Sequence, residues 1–309
     1  MSATRRSVSS RKNEHPVTDG LIVVDKAGGM TSHDVVARVR RIAGTRKVGH
    51  GGTLDPMATG VLVLGVGRAT RLLTYVVGTA KVYRGVIRLG QVTVTDDAEG
   101  DVTATTPAGH VTDEQIRAGL AGMTGEVDQV PSAVSAIKVN GVRSYHRVRQ
   151  GEQVELPARR VTISRIDVSE ITRTDDVVDV AVEVACSSGT YIRAIARDLG
   201  AGFGVGGHLT ALRRTAVGGF TLAEAYTLEQ LAELADPVAL PLAQALGRAM
   251  PVRAVDADAA KIVSHGGPLP AVGQAGPYGV VGPDGAALAV MSERGGRAKA
   301  EIVLVGGEQ

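Results

Sequence analysis

Apolar positions along the chain fall into runs and alternations that specify its elements. Leu21-Ile-Val-Val24 is a continuous apolar run of strand length. The turn Asp25 to Met30 feeds a helix capped by Ser32, with Val35, Val39 and Ile42 on one face. A second apolar run, Gly60 to Leu64, precedes Gly-Val-Gly-Arg-Ala-Thr70. From Lys81 to Gln91 the pattern alternates, with Tyr83, Gly85, Ile87 and Leu89 on one side and Arg84 and Arg88 on the other, which predicts a strand. Thr112 with Gln115 forms a capping box for a helix burying Ile116, Leu120 and Met123. Val178, Val180, Val182, Val184 and Cys186 alternate with polar or small residues as a half-buried strand, and a helix follows to Leu199. Thr227 with Gln230 caps a helix carrying Leu228, Leu231 and Leu234. Asp236-Pro237 to Pro241 then breaks the pattern and sets the expected domain boundary. Beyond it, short Val/Leu runs between Gly-Pro and Asp-Gly turns predict a small β module. The expectation is a mixed α/β domain over 18–245, a β module over 246–309, and a disordered basic tail over 1–17.

Composition narrows the class. A chain of 309 residues can bury a full core without disulfides, and its single cysteine, Cys186, excludes a disulfide framework within the chain and a cysteine-based zinc site. Cys186 lies on the alternating strand and reads as core. No signal peptide and no run of 18 apolar residues is present, so a cytoplasmic protein with no membrane segment is expected. Net charge is only +2, yet residues 130–165 carry seven Lys or Arg, including Lys138, Arg143, Arg147 and Arg149, against two Glu. Asn140-Gly141 within that segment is a hairpin-turn signal. A basic hairpin of this kind is either a grip for RNA phosphates or a solvated face.

Two apparent ligand motifs dissolve on inspection. Asp96-Asp97-Ala-Glu-Gly100 lacks the remaining ligands of a calcium loop and reads as a solvated acidic turn. Gly202-Phe-Gly-Val-Gly-Gly207 has the spacing of a dinucleotide fingerprint, but a helix precedes it where a strand is required.

The chemistry centres on Asp55, a lone carboxylate in the glycine-rich stretch from Arg46 to Arg71. Pro56 biases Asp55 away from helical geometry, which suits a rigid loop presenting the carboxylate. The alternative is an Asp capping a helix that begins at Pro56. The segment Gly49-His-Gly-Gly-Thr-Leu-Asp-Pro-Met-Ala-Thr-Gly-Val-Leu62 resembles the catalytic motif of the TruB family of pseudouridine synthases, with Gly51 where the family often has Thr. Asp25-Lys-Ala-Gly-Gly-Met-Thr-Ser32 resembles that family's first motif, with Ala27 in place of proline, and Gly189-Thr-Tyr-Ile-Arg193 resembles its third.

The resemblance, over roughly residues 20–220, implies a central mixed, largely antiparallel sheet flanked by helices, an RNA-gripping insertion at about 130–160, and a PUA-like C-terminal domain. It implies isomerisation of the T-loop uridine at position 55 of transfer RNA, without metal or organic cofactor, by a monomer. Carried over, Asp55 is the catalytic carboxylate and Arg193 its partner. Tyr83, Tyr191 and Leu212 wall the pocket of a flipped-out base, and His50 and Lys26 join the substrate-binding set. Read without the family, Tyr83 is equally a core aromatic and Arg193 a surface helix residue. Three other readings stand beside this one: a synthase of the same chemistry acting on another RNA, a non-catalytic RNA binder or chaperone, and a glycosidic-bond hydrolase. The hydrolase would need a second, acid carboxylate, and these motifs supply none.

Overall fold

The computed structural model describes residues 18–132, 138–139, 142–143 and 156–305. The N-terminal tail, Asn140-Gly141, Arg147 and Arg149 lie outside the described residues, as do the side chains of Lys138 and Arg143.

Among the described residues, ten strands form one large sheet. Its main path runs Leu240–Pro241, Gly20–Lys26, Thr59–Val66, Gly207–Val217, Lys81–Leu89, Val177–Cys186, Arg159–Thr174 and Gly125–Gln129, with two short strands on its flanks. Every pairing is antiparallel except one, Gly207–Val217 beside Thr59–Val66. This is the mixed, largely antiparallel sheet that was expected.

The continuous apolar runs are explained by burial on both faces. Ile22, Val24, Leu62 and Leu64 point into a core shared with the helices Ser32–Ile42, Asp113–Ala121 and Ile192–Gly202. Leu21, Val23, Val61 and Val63 point into a second core on the opposite face. Strands at the far end of the sheet have one wet face, and there the period-2 alternation is clean: Val178, Val180, Val182, Val184 and Cys186 are all buried. The capping boxes at Thr112 and Thr227 are formed, although Leu234 ends up exposed past the end of its helix.

One expectation is corrected. The cap of Ser32–Ile42 is Thr31, whose hydroxyl accepts from the Asp34 amide, while Ser32 is buried and bonded elsewhere. At the expected domain boundary, the segment Pro237 to Pro241 packs onto the large sheet. Pro237 and Val238 are buried, and Leu240–Pro241 pairs with Gly20 and Leu21 as an edge strand, where a proline's missing N–H costs nothing. The expected boundary at 245/246 therefore falls inside the helix Leu242–Ala249.

Residues 252–303 build a separate five-stranded sheet with a cluster of its own around Val263, Tyr278, Val280 and Met291. Its other face joins the second core, where Ala287, Val290 and Leu304 meet Leu242, Leu246, Leu72 and Phe220. Arg68 and Arg71 donate to the carbonyls of Leu304 and Val303 at 2.8 and 2.7 Å, and the Tyr75 hydroxyl donates to Glu301 at 2.6 Å. No helix among the described residues is long and apolar enough to cross a membrane.

Candidate active site

The loop that carries Asp55 is fixed by its carbonyls. Gly52 O and Thr53 O accept from Arg214 at 3.1 and 3.3 Å, and the same guanidinium reaches Val61 O at 2.8 Å. Leu54 is held twice by Ser32: its N–H donates to the hydroxyl at 2.9 Å and its C=O accepts from it at 3.1 Å. Pro56 O accepts from Lys26 Nζ at 3.1 Å and from the Gly29 amide at 2.9 Å. Residues on either side of Asp55 are thus tied to three different elements, and no helix starts at Pro56. Gly60 (φ +98°) lets the chain pass against Arg214, whose carbonyl would collide with any Cβ placed there.

Arg193, at the first turn of Ile192–Gly202, reaches Asp55 through Nη2 at 3.1 Å. Its Nη1 reaches Asp97 at 3.2 Å and donates to Thr95 O at 2.9 Å. Arg193 and Asp97 are almost fully enclosed (5% and 2% of the side chain exposed), whereas 39% of Asp55 remains open. The arginine is therefore a buried cation between an inner, structural carboxylate and an outer, accessible one. The solvated-turn reading of Asp96-Asp97 is overturned: Asp97 is core, held also by the Thr95 hydroxyl and the Glu99 amide. Neighbouring Glu99 is pushed upward in pKa by desolvation and then by the Asp97 and Asp55 charges, so acids of two segments converge here.

Asp55 and Arg193 open into a cleft of about 240 Å³ also lined by Tyr83, Tyr191, Leu212, Lys81, Arg214, Val77 and Ser188 to Thr190. Gln129 clamps the backbone of Tyr191 in both directions, accepting from its N–H at 2.8 Å and donating to its C=O at 3.1 Å. Tyr83 is buried, and that burial raises the pKa of its phenol. The cleft therefore offers aromatic and aliphatic walls beside a carboxylate paired with a buried arginine, suited to a planar heterocycle attached to a sugar. Among the described residues, no group of three or more His, Cys, Asp or Glu side chains is arranged to hold a metal.

One family model, described as the TruB family pseudouridylate synthase N-terminal domain, matches residues 40–192. Those described as tRNA pseudouridylate synthase B C-terminal domain and tRNA pseudouridine synthase II, C terminal, match 193–247 and 250–305. The tRNA pseudouridine synthase B of Thermobifida fusca is 54% identical over 294 residues, covering 94% of this chain and 100% of that protein. The chain belongs to the TruB family of pseudouridine synthases. Proteins of the same name from an Arthrobacter species and from Nocardia farcinica are each 57% identical, each covering 92% of this chain and respectively 96% and 93% of their own length. Among solved structures, a Cbf5-Nop10-Gar1 complex matches with a TM-score of 0.71 at 24% identity, over 98% of this chain and 91% of that one. An H/ACA RNP bound to a substrate RNA containing 2′-deoxyuridine matches at 0.69 and 22% identity, over 96% and 92%. At those identities the likeness is one of fold.

Within this TruB-family site the structure brings together five of the residues expected from sequence: Asp55, Arg193, Tyr83, Tyr191 and Leu212. Lys26 is placed differently. It is fully buried beneath the loop and donates to Ala27 O, Met30 O and Pro56 O at 2.9, 2.6 and 3.1 Å, so it braces the loop where the family's proline is missing. His50 is also off the cleft wall, edge-on to His33 with ring centres 5.5 Å apart. Desolvation and then His33 lower its pKa, which favours the neutral ring. A Cβ at Gly51 would lie 3.1 Å from Val76 and 3.4 Å from Leu73, so apolar side chains pack close against this glycine. Lys138 and Arg143 are opposite each other in a short antiparallel pair, as a hairpin around Asn140-Gly141 requires. Sequence reasoning missed Asp97, Ser32 as a loop tie, and Arg214. The pair Arg213-Arg214 on a strand otherwise facing a core was the available signal for Arg214, since an arginine inside a buried strand needs several acceptors.

Proposed function

We propose that this chain isomerises uridine to pseudouridine in the T loop of transfer RNA, with Asp55 as the reacting carboxylate. The observation that carries the reading is the Asp55–Arg193 pair opening into a cleft walled by Tyr83, Tyr191 and Leu212. The names of the relatives over nearly the whole chain support transfer RNA as substrate. The T-loop position rests on the motif resemblance.

A uridine stacked in an RNA loop cannot reach Asp55, so the nucleotide is flipped into the cleft, where stacking on Tyr83 is worth about 1 to 3 kcal/mol. The glycosidic bond from N1 to C1′ then breaks, and its electron pair leaves with the uracil. Asp55 supports this step in either of two ways. It can attack C1′ and form an ester, or remove the C2′ proton so that a C1′–C2′ double bond forms. The uracil turns and C5 bonds to C1′. Asp55 is expelled in the first route and returns its proton to C2′ in the second. The proton on C5 is lost and N1 gains one, so atoms and charge balance with no net redox change. Arg193 pairs with Asp55 and aims it, and Asp97 keeps Arg193 in place. The basic segment of Lys138, Arg143, Arg147 and Arg149 is assigned to backbone phosphates of the T arm, and the protein to the cytoplasm as a monomer.

The deciding experiment is Asp55→Asn on an unmodified transfer RNA transcript, with pseudouridine mapped chemically. The variant keeps volume and a hydrogen bond to Arg193, so binding should persist while product falls below detection. Retained pseudouridine formation would make the carboxylate structural. A wild-type protein that binds the transcript without modifying it would favour the chaperone reading.

A further inference from the structure

The cleft holds one cation that the scheme above leaves unused. Lys81 lies on the strand Lys81–Leu89, two residues before Tyr83 and on the same face. Its side chain lines the cleft, yet the residue is only 6% exposed. The ammonium donates to Val77 O at 2.8 Å and Thr79 O at 2.6 Å, which uses two of its three protons. Among the described residues, no carboxylate lies within ion-pair distance of it. The other two cations on the wall are engaged: Arg193 by two carboxylates, Arg214 by three carbonyls. Lys26, also buried, spends all three of its protons on carbonyls, whereas Lys81 spends two, although an unneutralised buried ammonium is expensive to keep. Val77 O already accepts from the Ser188 hydroxyl at 2.7 Å.

Resting on the reaction assigned above, we propose that Lys81 is the electrostatic receptor for the departing uracil: its ammonium neutralises the negative charge that reaches O2 or O4 when the N1–C1′ bond breaks. Two residues of strand place it about 6 to 7 Å from Tyr83 along the sheet, comparable to the width of a pyrimidine ring. In this arrangement a base stacked on Tyr83 with its sugar at Asp55 would meet the third N–H of Lys81 with its carbonyl edge, since all three residues line one cleft. The bond that breaks is N1–C1′, the electron pair goes to the uracil ring, and Lys81 keeps its proton. Because the anion exists only as the bond breaks, this interaction is far stronger in the transition state than with neutral uridine, which is where binding accelerates a reaction.

The surroundings agree. Desolvation first, and the Arg214 charge second, hold the Lys81 pKa down to about 8, with the Cys186 thiol the small opposing influence. The groups facing it are Arg214 from Gly207–Val217, Cys186 from Val177–Cys186, Ser188 beyond that strand, and Tyr83 on its own strand. Near neutral pH the lysine is therefore charged, and the anion that forms as the bond breaks supplies the counter-charge it lacks.

The test uses the full-length protein, an unmodified transfer RNA transcript and single-turnover kinetics from pH 6 to 10, with wild type, Lys81→Gln and Lys81→Arg. Lys81→Gln should lower the rate constant for pseudouridine formation about 100-fold or more at pH 7, with RNA affinity within two-fold of wild type. Lys81→Arg should recover most of that loss, and the alkaline fall in rate near pH 8 in wild type should move above pH 9, because guanidinium does not deprotonate there. A Lys81→Gln rate within three-fold of wild type would overturn the proposal. So would a Lys81→Arg profile that still falls near pH 8, and this arm decides the matter even if Lys81→Gln fails to fold. Wild type inactive on the transcript would bring down the assigned reaction and this role together, whereas an active wild type with an equally active Lys81→Gln would remove the role alone.

Discussion

At the scale of single residues, the site is a chain of charges running from inside to outside: Asp97, Arg193, Asp55. Replacing Asp97 by Ala leaves a buried guanidinium with one accessible carboxylate in place of two. The expected cost is about 3 to 5 kcal/mol in a urea melt, with a rate loss at least as large as that of the isosteric Asp97→Asn. A loss under about 1 kcal/mol would show that Thr95 O and Asp55 suffice to hold Arg193. Lys81 carries the opposite sign. Its pKa is lower in the folded than in the unfolded chain, so the fold sheds the proton first and wild-type stability gains as pH rises from about 8 toward the ordinary lysine value. The melting temperature of Lys81→Met relative to wild type should therefore be most favourable at pH 7 and decline by pH 10; a difference that stays constant would mean the ammonium is not desolvated. Asp55, Arg193 and Tyr83 were legible because motif and residue type coincide. Asp97 was not, since two adjacent aspartates in a turn look solvated until an arginine almost a hundred positions later closes over one of them.

Among the elements, most strands and helices announced themselves by period, and the misreadings came from hydrogen bonds that span the chain. The cap expected at Ser32 falls on Thr31 because Leu54 claims the serine hydroxyl. Ser32→Ala should leave the helix cap intact and free both polar groups of Leu54 inside the protein, costing about 1 to 3 kcal/mol. Turnover should fall more than RNA affinity, because the carboxylate loop loosens while the cleft walls remain. Equal loss of both would place the serine in RNA binding. The prolines at 237 and 241 end the helical pattern, and only the partner strand Gly20–Lys26 reveals that this stop is an edge strand.

For the whole molecule, the five-stranded C-terminal sheet is proposed as a second domain, docked through apolar contact with Leu242, Leu246 and Phe220 and through Arg68, Arg71 and Tyr75. Limited proteolysis between the two sheets should give fragments that co-elute on a native column and separate only in denaturant; fragments that part freely would mean the junction is weak. Arg143, Arg147 and Arg149 replaced together by Ala should weaken RNA binding and flatten its salt dependence by somewhat under one unit of slope per lost phosphate contact. An unchanged slope would return them to the solvated face. The central strand Gly207–Val217 has a further consequence, for synthesis on the ribosome. It joins Thr59–Val66 to Lys81–Leu89 and supplies the arginine that locks the loop carrying Asp55. A nascent chain shorter than about two thirds of its final length therefore has two apolar strands with open edges and no organised cleft. The cleft is therefore organised late, only after the strand Gly207–Val217 has left the exit tunnel, and until then those edges are the places where a growing chain needs shielding from its neighbours.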